Sequence, residues 1–322
     1  MIYHQEMLKR LIADGYNGIR KIFKTEDSRF IMAVGLKVTF ISFTINLFIY
    51  FFLFQILRIN HAFFKAHGFP DFQSGSPFYD AITGEALDNL PILFLFHIVL
   101  FFVGVYVGRL LLRPFRTIGD YCENTLNDPN YDYRVEAFSN YSLLTRFSEL
   151  FFEYLRDSRE KKELLQHSIP PQFSKIHKPV QDKVFMLHFG LLLIVISIIS
   201  AVFIIQSSSA IYTKMVELAM TTLPGSKGIH RYLTEQTFIL DDLVNMTIVL
   251  VIIFYTVLGV HLYSKVSGAA FGIFSTMRSF MKGNHTTRVH LIGYAYIRDH
   301  TRKLNKYLDY IHNNYVKDKR NG

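Results

Sequence analysis

The sequence has a single cysteine, Cys122, in 322 residues. That scarcity excludes an intrachain disulfide and leaves a cysteine-based metal site without ligands. Charged residues make up only 19% against 50% hydrophobic, so the chain is read first against a bilayer rather than as a globular core. Catalytic constellations are also missing. The thirteen histidines are scattered, with His97 and His188 inside apolar runs, His261 at the end of another, and His285, His290 and His300 around one polar connector. No HExxH, no Cys/His cluster and no paired carboxylate inside an apolar run occurs. The expectation is a non-enzymatic protein with no metal and no cofactor, in which Asn46, His97, His188 and Asn245 make hydrogen bonds between membrane helices.

What is present is four long apolar runs, Val38 to Leu57, Leu90 to Gly108, Val184 to Ile205 and Leu243 to Leu262. Each covers roughly 30 Å of hydrocarbon at about 1.5 Å per residue. The first lies behind a long mixed head with no cleavage pattern after it, so it reads as a retained span rather than a signal peptide. Lys and Arg crowd the head, the middle segment (Arg109, Arg113, Arg116 and a run from Arg156 to Lys162) and the tail, and are sparse in the two remaining loops. Both termini and the middle segment are therefore expected on the cytoplasmic side. The net charge of +9 is an orientation and lipid-surface signal, not a nucleic-acid one, because no recognition fold accompanies it.

The chain divides accordingly. Residues 1–29 form an amphipathic N-terminal helix that lies on headgroups or docks on the middle segment. Residues 30–112 are a first membrane hairpin with spans at about 30–57 and 90–112, and 113–167 a helix-connector-helix unit. A return linker follows at 168–182. Residues 183–264 are a second hairpin with spans at about 183–205 and 243–264, 265–312 a second helix-connector-helix unit, and 313–322 a basic tail. The loop from Asn60 to Asn89 carries Gly68, Pro70, Gly75, Pro77 and Gly84, a density of breakers that predicts no long helix there. The matching loop permits one short helix over Tyr212 to Met220, and Asp241 and Asp242 are expected to cap the start of the fourth span. Neither loop is long enough for a separate outer sensing domain. Gly104 and Gly108 stand at GxxxG spacing in the second span, which lets another helix approach closely.

After span two, Pro114 suits the first turn of a new helix or a kink. Phe115, Ile118, Cys122 and Leu126 then follow at spacings of three and four, as on a coiled-coil seam. Beyond the connector NDPNYDYRV, the seam restarts at Leu143, Phe147, Leu150 and Tyr154. A shift of 154 positions puts Arg134 on Arg288, Val135 on Val289 and Leu150 on Leu304, and continues through Ile297, Thr301, Leu308 and Ile311. The two halves therefore read as tandem repeats. The 15 residues Ser168 to Asp182 can climb about 50 Å if nearly extended, enough to return to the bilayer.

A helix leaving a span, a polar connector ending in Arg-Val and a second heptad helix resemble a HAMP domain, the signal-relay module of bacterial receptors. The better copy is KGNHTTRV followed by RDHTRKLNKYLDYI. The first copy keeps Pro114 and has Glu136 where the family favours an acid, but lacks the connector glycine; the second has Gly283 but Gly268 and His290 at those positions. The resemblance implies a parallel four-helix bundle, made by one chain as a pseudo-dimer or by several chains as a homo-oligomer. It also implies residence in the bacterial inner membrane, and a signal relay or scaffold handing its motion to a separate protein partner. A structural subunit of a larger membrane assembly and a small repeat-built transporter are the alternatives. The fold class expected is an all-α membrane protein, with four transmembrane helices in two tandem repeats, each followed by a HAMP-like helix-connector-helix unit.

Overall fold

A computed structural model describes residues 25–66, 76–128, 131, 143–164, 166–177, 183–222 and 227–315. The expected N-terminal helix, apart from residues 25–29, and the basic tail, apart from 313–315, lie outside these residues. So does nearly all of the first connector, including Arg134, Val135 and Glu136. The described elements are α1 (Glu26–Ala66), α2 (Ser76–Asn127), α3 (Leu143–Lys161), a single turn α4 (Pro171–Ser174), α5 (Lys183–Thr222), α6 (Lys227–Met281), a 3-10 turn (Ala295–Ile297) and α7 (Arg298–Tyr315). No strand occurs among the described residues.

Four of these helices contain stretches long and apolar enough to cross a membrane: Glu26–Phe63, Leu87–Asn127, Phe189–Lys214 and Thr234–Met281. Only about a third of each apolar window is covered by protein. The uncovered remainder is a surface of Phe40, Leu47, Phe94, Leu95, Leu191, Ile194, Ile253 and Val257. Apolar patches of that extent are stable against lipid and not against water. The chain is an all-α membrane protein with four candidate spans.

The helices run further than the apolar runs predict. Ser76 to Asn89 is helical, which corrects the expectation of a broken loop there. Pro77 falls in the first turn, where its missing N–H has no intrahelical partner to lose, and Gly84 costs only about 1 kcal/mol relative to alanine. The short helix expected over Tyr212 to Met220 is the last part of α5. Asp241 and Asp242 lie exposed in the middle of α6, which starts at Lys227, so they cap nothing. Pro114 neither starts a helix nor breaks one: α2 passes through it without interruption.

The residues cluster into two compact units. The span unit comprises 35–104 and 190–259, and the bundle unit comprises the remainder. In the span unit, a side chain at Gly104 would sit 2.8 Å from the Gly35 backbone, so this glycine is where α1 and α2 touch. Phe96 stacks on Phe203 with ring centroids 3.9 Å apart, joining α2 to α5. Tyr255 of α6 donates its hydroxyl to the Val38 carbonyl at 3.1 Å and meets the Ser200 hydroxyl at 3.4 Å. Near the other ends of α1 and α6, Tyr232 and the Gln236 amide both donate to Asn60 Oδ1. Most other polar side chains here, Thr39, Ser197, Ser208 and Thr247 among them, bond back to a carbonyl one turn earlier. That habit satisfies a hydroxyl inside lipid without a partner helix.

Candidate functional site: a parallel bundle and its polar node

The bundle unit packs the last part of α2, α3, the last part of α6, and α7. Phe147 meets Phe274 and Phe151 meets Phe280, so α3 and α6 advance together. His300 lies against Gly119 and Lys303 bridges to Glu123, so α7 and α2 do the same. Phe152 faces Tyr307, and the Leu164 amide bonds to the Tyr315 carbonyl, which sets α3 and α7 parallel as well. Four parallel helices from one chain thus enclose a core of Phe115, Ile118, Cys122, Phe147, Phe151, Phe274, Phe280, Leu304, Leu308 and Ile311, all essentially without exposure.

Both inner helices end in the same way. At the close of α6, Gly283 adopts φ +98°, its N–H bonds to the Phe280 carbonyl and the Asn284 N–H reaches back to Ser279. At the close of α3, Lys162 takes the same role with φ +53°, and the bonds run from Lys162 to Arg159 and from Glu163 to Ser158. This is the Schellman motif, in which the left-handed residue is usually glycine. Gly283 meets that requirement without strain, and its missing side chain also makes room for Gln166.

The second connector then runs back along α7. The Asn305 side chain clamps Val289 at two points, accepting from its N–H at 2.8 Å and donating to its carbonyl at 3.0 Å. Arg288 bonds Asp309 at 2.7 Å, and the Val289 side chain is buried. The same antiparallel register places His285 opposite His312. Burial, followed by the neighbouring His312, holds the His285 imidazole below its ordinary value. Leu291 lies over Gly272, Tyr294 over Gly268, and Tyr296 donates to the Lys265 carbonyl, so the connector climbs α6 before α7 begins.

The return linker is held rather than free-running. It contains the one-turn α4, which corrects the expectation of a nearly extended climb. Arg278 lies over the Phe274 ring and donates to the carbonyls of Phe173, Ser174 and Ile176. Those carbonyls at the end of α4 are otherwise without helical partners, so one guanidinium replaces them all.

A second polar junction centres on Asp27, in the first turn of α1, where a negative charge suits the helix dipole. Its Oδ2 accepts from His300 Nε2 at 2.7 Å and from Arg116 Nε at 3.3 Å. One carboxylate therefore ties together α1, α2 and α7. His300 is 6% exposed, and its other nitrogen, Nδ1, is buried without a hydrogen-bond partner among the described residues. A side chain at Gly119 would come within 2.8 Å of that nitrogen, so the imidazole fits only because residue 119 is glycine. One turn along α7, Lys303 contacts Glu123 at 2.7 Å, Asp120 at 3.5 Å and Asp299 at 3.6 Å. Burial lowers the Lys303 pKa, but these acids outweigh it and hold the ammonium above its ordinary value.

Of the residues singled out from sequence, Gly108 sits where α2 meets Ile31 of α1. Gly104 makes its contact within the span unit. Phe115, Ile118, Cys122, Phe147, Tyr154, Ile297, Leu304, Leu308 and Ile311 come together in the bundle. Leu143 opens α3, and its side chain lies outside the described part. Leu150 is a correction: it is half-exposed and lines an open groove with Pro170 and Phe173, while Phe151 holds the core. Burial therefore matches α3 to α7 at a shift of 157, pairing Phe147 with Leu304, Phe151 with Leu308 and Tyr154 with Ile311, one helical turn from the sequence register.

Sequence reasoning passed over Asp27, Arg278 and Asn305, and saw His300 only as one of a scattered set. The available signals were an acid in the first turn before an apolar run and a histidine one residue before a seam position. Among the described residues, no group of three or more His, Cys, Asp or Glu is placed to hold a metal ion. Compared with family models, curated proteins and solved structures, the chain matches none of them.

Proposed function

We propose that this is a non-enzymatic multi-pass protein of the bacterial cytoplasmic membrane, in which a HAMP-like bundle couples the packing of membrane helices to a cytoplasmic protein partner. The observation that carries this reading is the parallel four-helix arrangement built by one chain; we read it as an intrachain pseudo-dimer in place of two subunits. Its polar node supplies a route for coupling. Asp27 begins the helix that becomes the first span, and His300 begins the helix that ends the bundle, so a movement of α1 is felt by α7 through one buried carboxylate. A bundle with two packings a few kcal/mol apart is enough to convert such a movement into a signal.

The test uses disulfide crosslinking in the full chain in lipid, with Cys122→Ala to remove the native thiol. One cysteine pair replaces Phe152 and Tyr307; a second replaces Leu164 and Tyr315 at the far end, about 22 Å along α7 from His300. Asp27→Asn weakens the node by about 1–3 kcal/mol. A relay responds with changed crosslinking rates at both pairs. If rates at both pairs stay the same and no protein co-purifies from gentle detergent, the relay reading gives way to that of a rigid structural subunit.

A further inference from the structure

Beside the node is a half-open cavity of about 440 Å³, large enough for a small ligand and lined almost entirely by charge. Glu26 and Asp27 of α1, Arg116 of α2, and Arg298, Asp299 and Arg302 of α7 form its walls. The acids and the guanidinium groups are equal in number there but not equally engaged. Asp27 is held by His300 as well as by Arg116, and Asp299 is drawn to Lys303; neither His300 nor Lys303 lines the cavity. Glu26 reaches Arg298 only at 3.9 Å. Arg116 spends its Nε on Asp27, which leaves its terminal nitrogens, and Arg302 makes no side-chain hydrogen bond or ion pair among the described residues. Three guanidinium forks with unspent donors therefore converge on one cavity, while its carboxylates are partly neutralised from behind.

The geometry points to a binding site for a phosphate-bearing ligand, held by Arg302, Arg298 and the terminal nitrogens of Arg116. Arginine forks pair with carboxylates as well as with phosphates, but a phosphate has three or more acceptor oxygens and can engage several guanidinium groups at once, where a carboxylate has only two. Because Arg116 also holds Asp27, occupancy of the site bears directly on the contact joining α1 to α7. The site goes beyond the relay reading and does not depend on it: binding is measured without reference to crosslinking.

The experiment uses the purified full chain in phosphatidylcholine nanodiscs. In one arm pyrophosphate is titrated by calorimetry; in the other the discs contain phosphatidic acid, and thermal stability is compared with phosphatidylcholine alone. Saturable pyrophosphate binding identifies a free phosphate compound as the ligand, and stabilisation by phosphatidic acid alone identifies a lipid headgroup. In either case Arg302→Gln, a change at an exposed position outside the core, weakens the effect roughly tenfold or more. Lys282→Gln, which removes an exposed charge elsewhere in the same unit, leaves it intact. Absence of an effect in both arms, or equal weakening by the two substitutions, overturns the site.

Discussion

The two units solve the same packing problem with different chemistry. In the span unit the helices meet through small residues, isolated ring stacks and a few hydroxyl and amide bonds, with Gly104 against Gly35, Phe96 on Phe203 and Tyr255 against Val38 and Ser200. In the bundle unit they meet through an aromatic core and charged side chains, with Phe147 on Phe274, Phe151 on Phe280, and Asp27 between His300 and Arg116. The difference follows from the solvent each is built for. Lipid gives no hydrophobic reward for joining two apolar helices, so close approach and satisfied polar groups must hold them. Water rewards burial of aromatic surface and lets charged groups pair at the edge of a core.

Substitutions that remove one kind of contact at a time test whether the two units differ in this way. The largest effect is expected for Phe151→Ala, which empties a fully buried position between α3 and α6. It should cost about 3–5 kcal/mol. Hydrogen exchange should show protection lost across α3 and α7 while residues 35–57 keep theirs. Equal loss in both units would show that they do not differ as described.

Next comes Gly104→Leu. The neighbour it meets is the Gly35 backbone, which cannot move aside as a side chain would. Overpacking of this kind costs about 1–3 kcal/mol. Thermal unfolding in detergent should register it as a lower midpoint. Tyr255→Phe removes only a hydroxyl, and a hydrogen bond between membrane helices averages about 0.6 kcal/mol. A destabilisation several times larger would mean that the span unit relies on polar contacts as heavily as the bundle does.

The smallest effect is that of pH on the connector. Burial and His312 hold His285 below the ordinary value of 6.5 in the folded state. The unfolded chain therefore takes up this proton first, so stability is fully present above about pH 6.5 and falls as acid titrates through the lowered folded value. His285→Gln should flatten that slope in a melting series over the same range.

How far the sequence shows these features depends on their range. The seam residues Phe115, Ile118, Cys122, Leu304 and Leu308 are legible because a helix needs only a local period to present one face. Gly283 is legible for a similar reason, since a left-handed helix end favours glycine. Leu150 was misplaced because α3 is apolar on more than one face. Leu144, Phe147, Leu150, Phe151 and Phe152 permit several phases, and the linker carrying Phe173 provides a second surface for Leu150 to face. Of the breakers between Asn60 and Asn89, Pro77 and Gly84 do not stop α2, because a proline near a helix start costs little, and Gly68, Pro70 and Gly75 lie outside the described residues.

Local sequence suffices to place the helices and to say which of them suit a bilayer, because hydropathy and period are properties of neighbouring residues. It also determined that a coiled-coil-like face follows the second and fourth runs. Which polar groups meet is set by the folded arrangement: Asp27 with His300, 273 positions apart, Arg278 with the linker carbonyls, and Asn305 with the Val289 backbone. A buried polar group is stable only when its partner arrives with the right geometry, and no local pattern records where along the chain that partner lies.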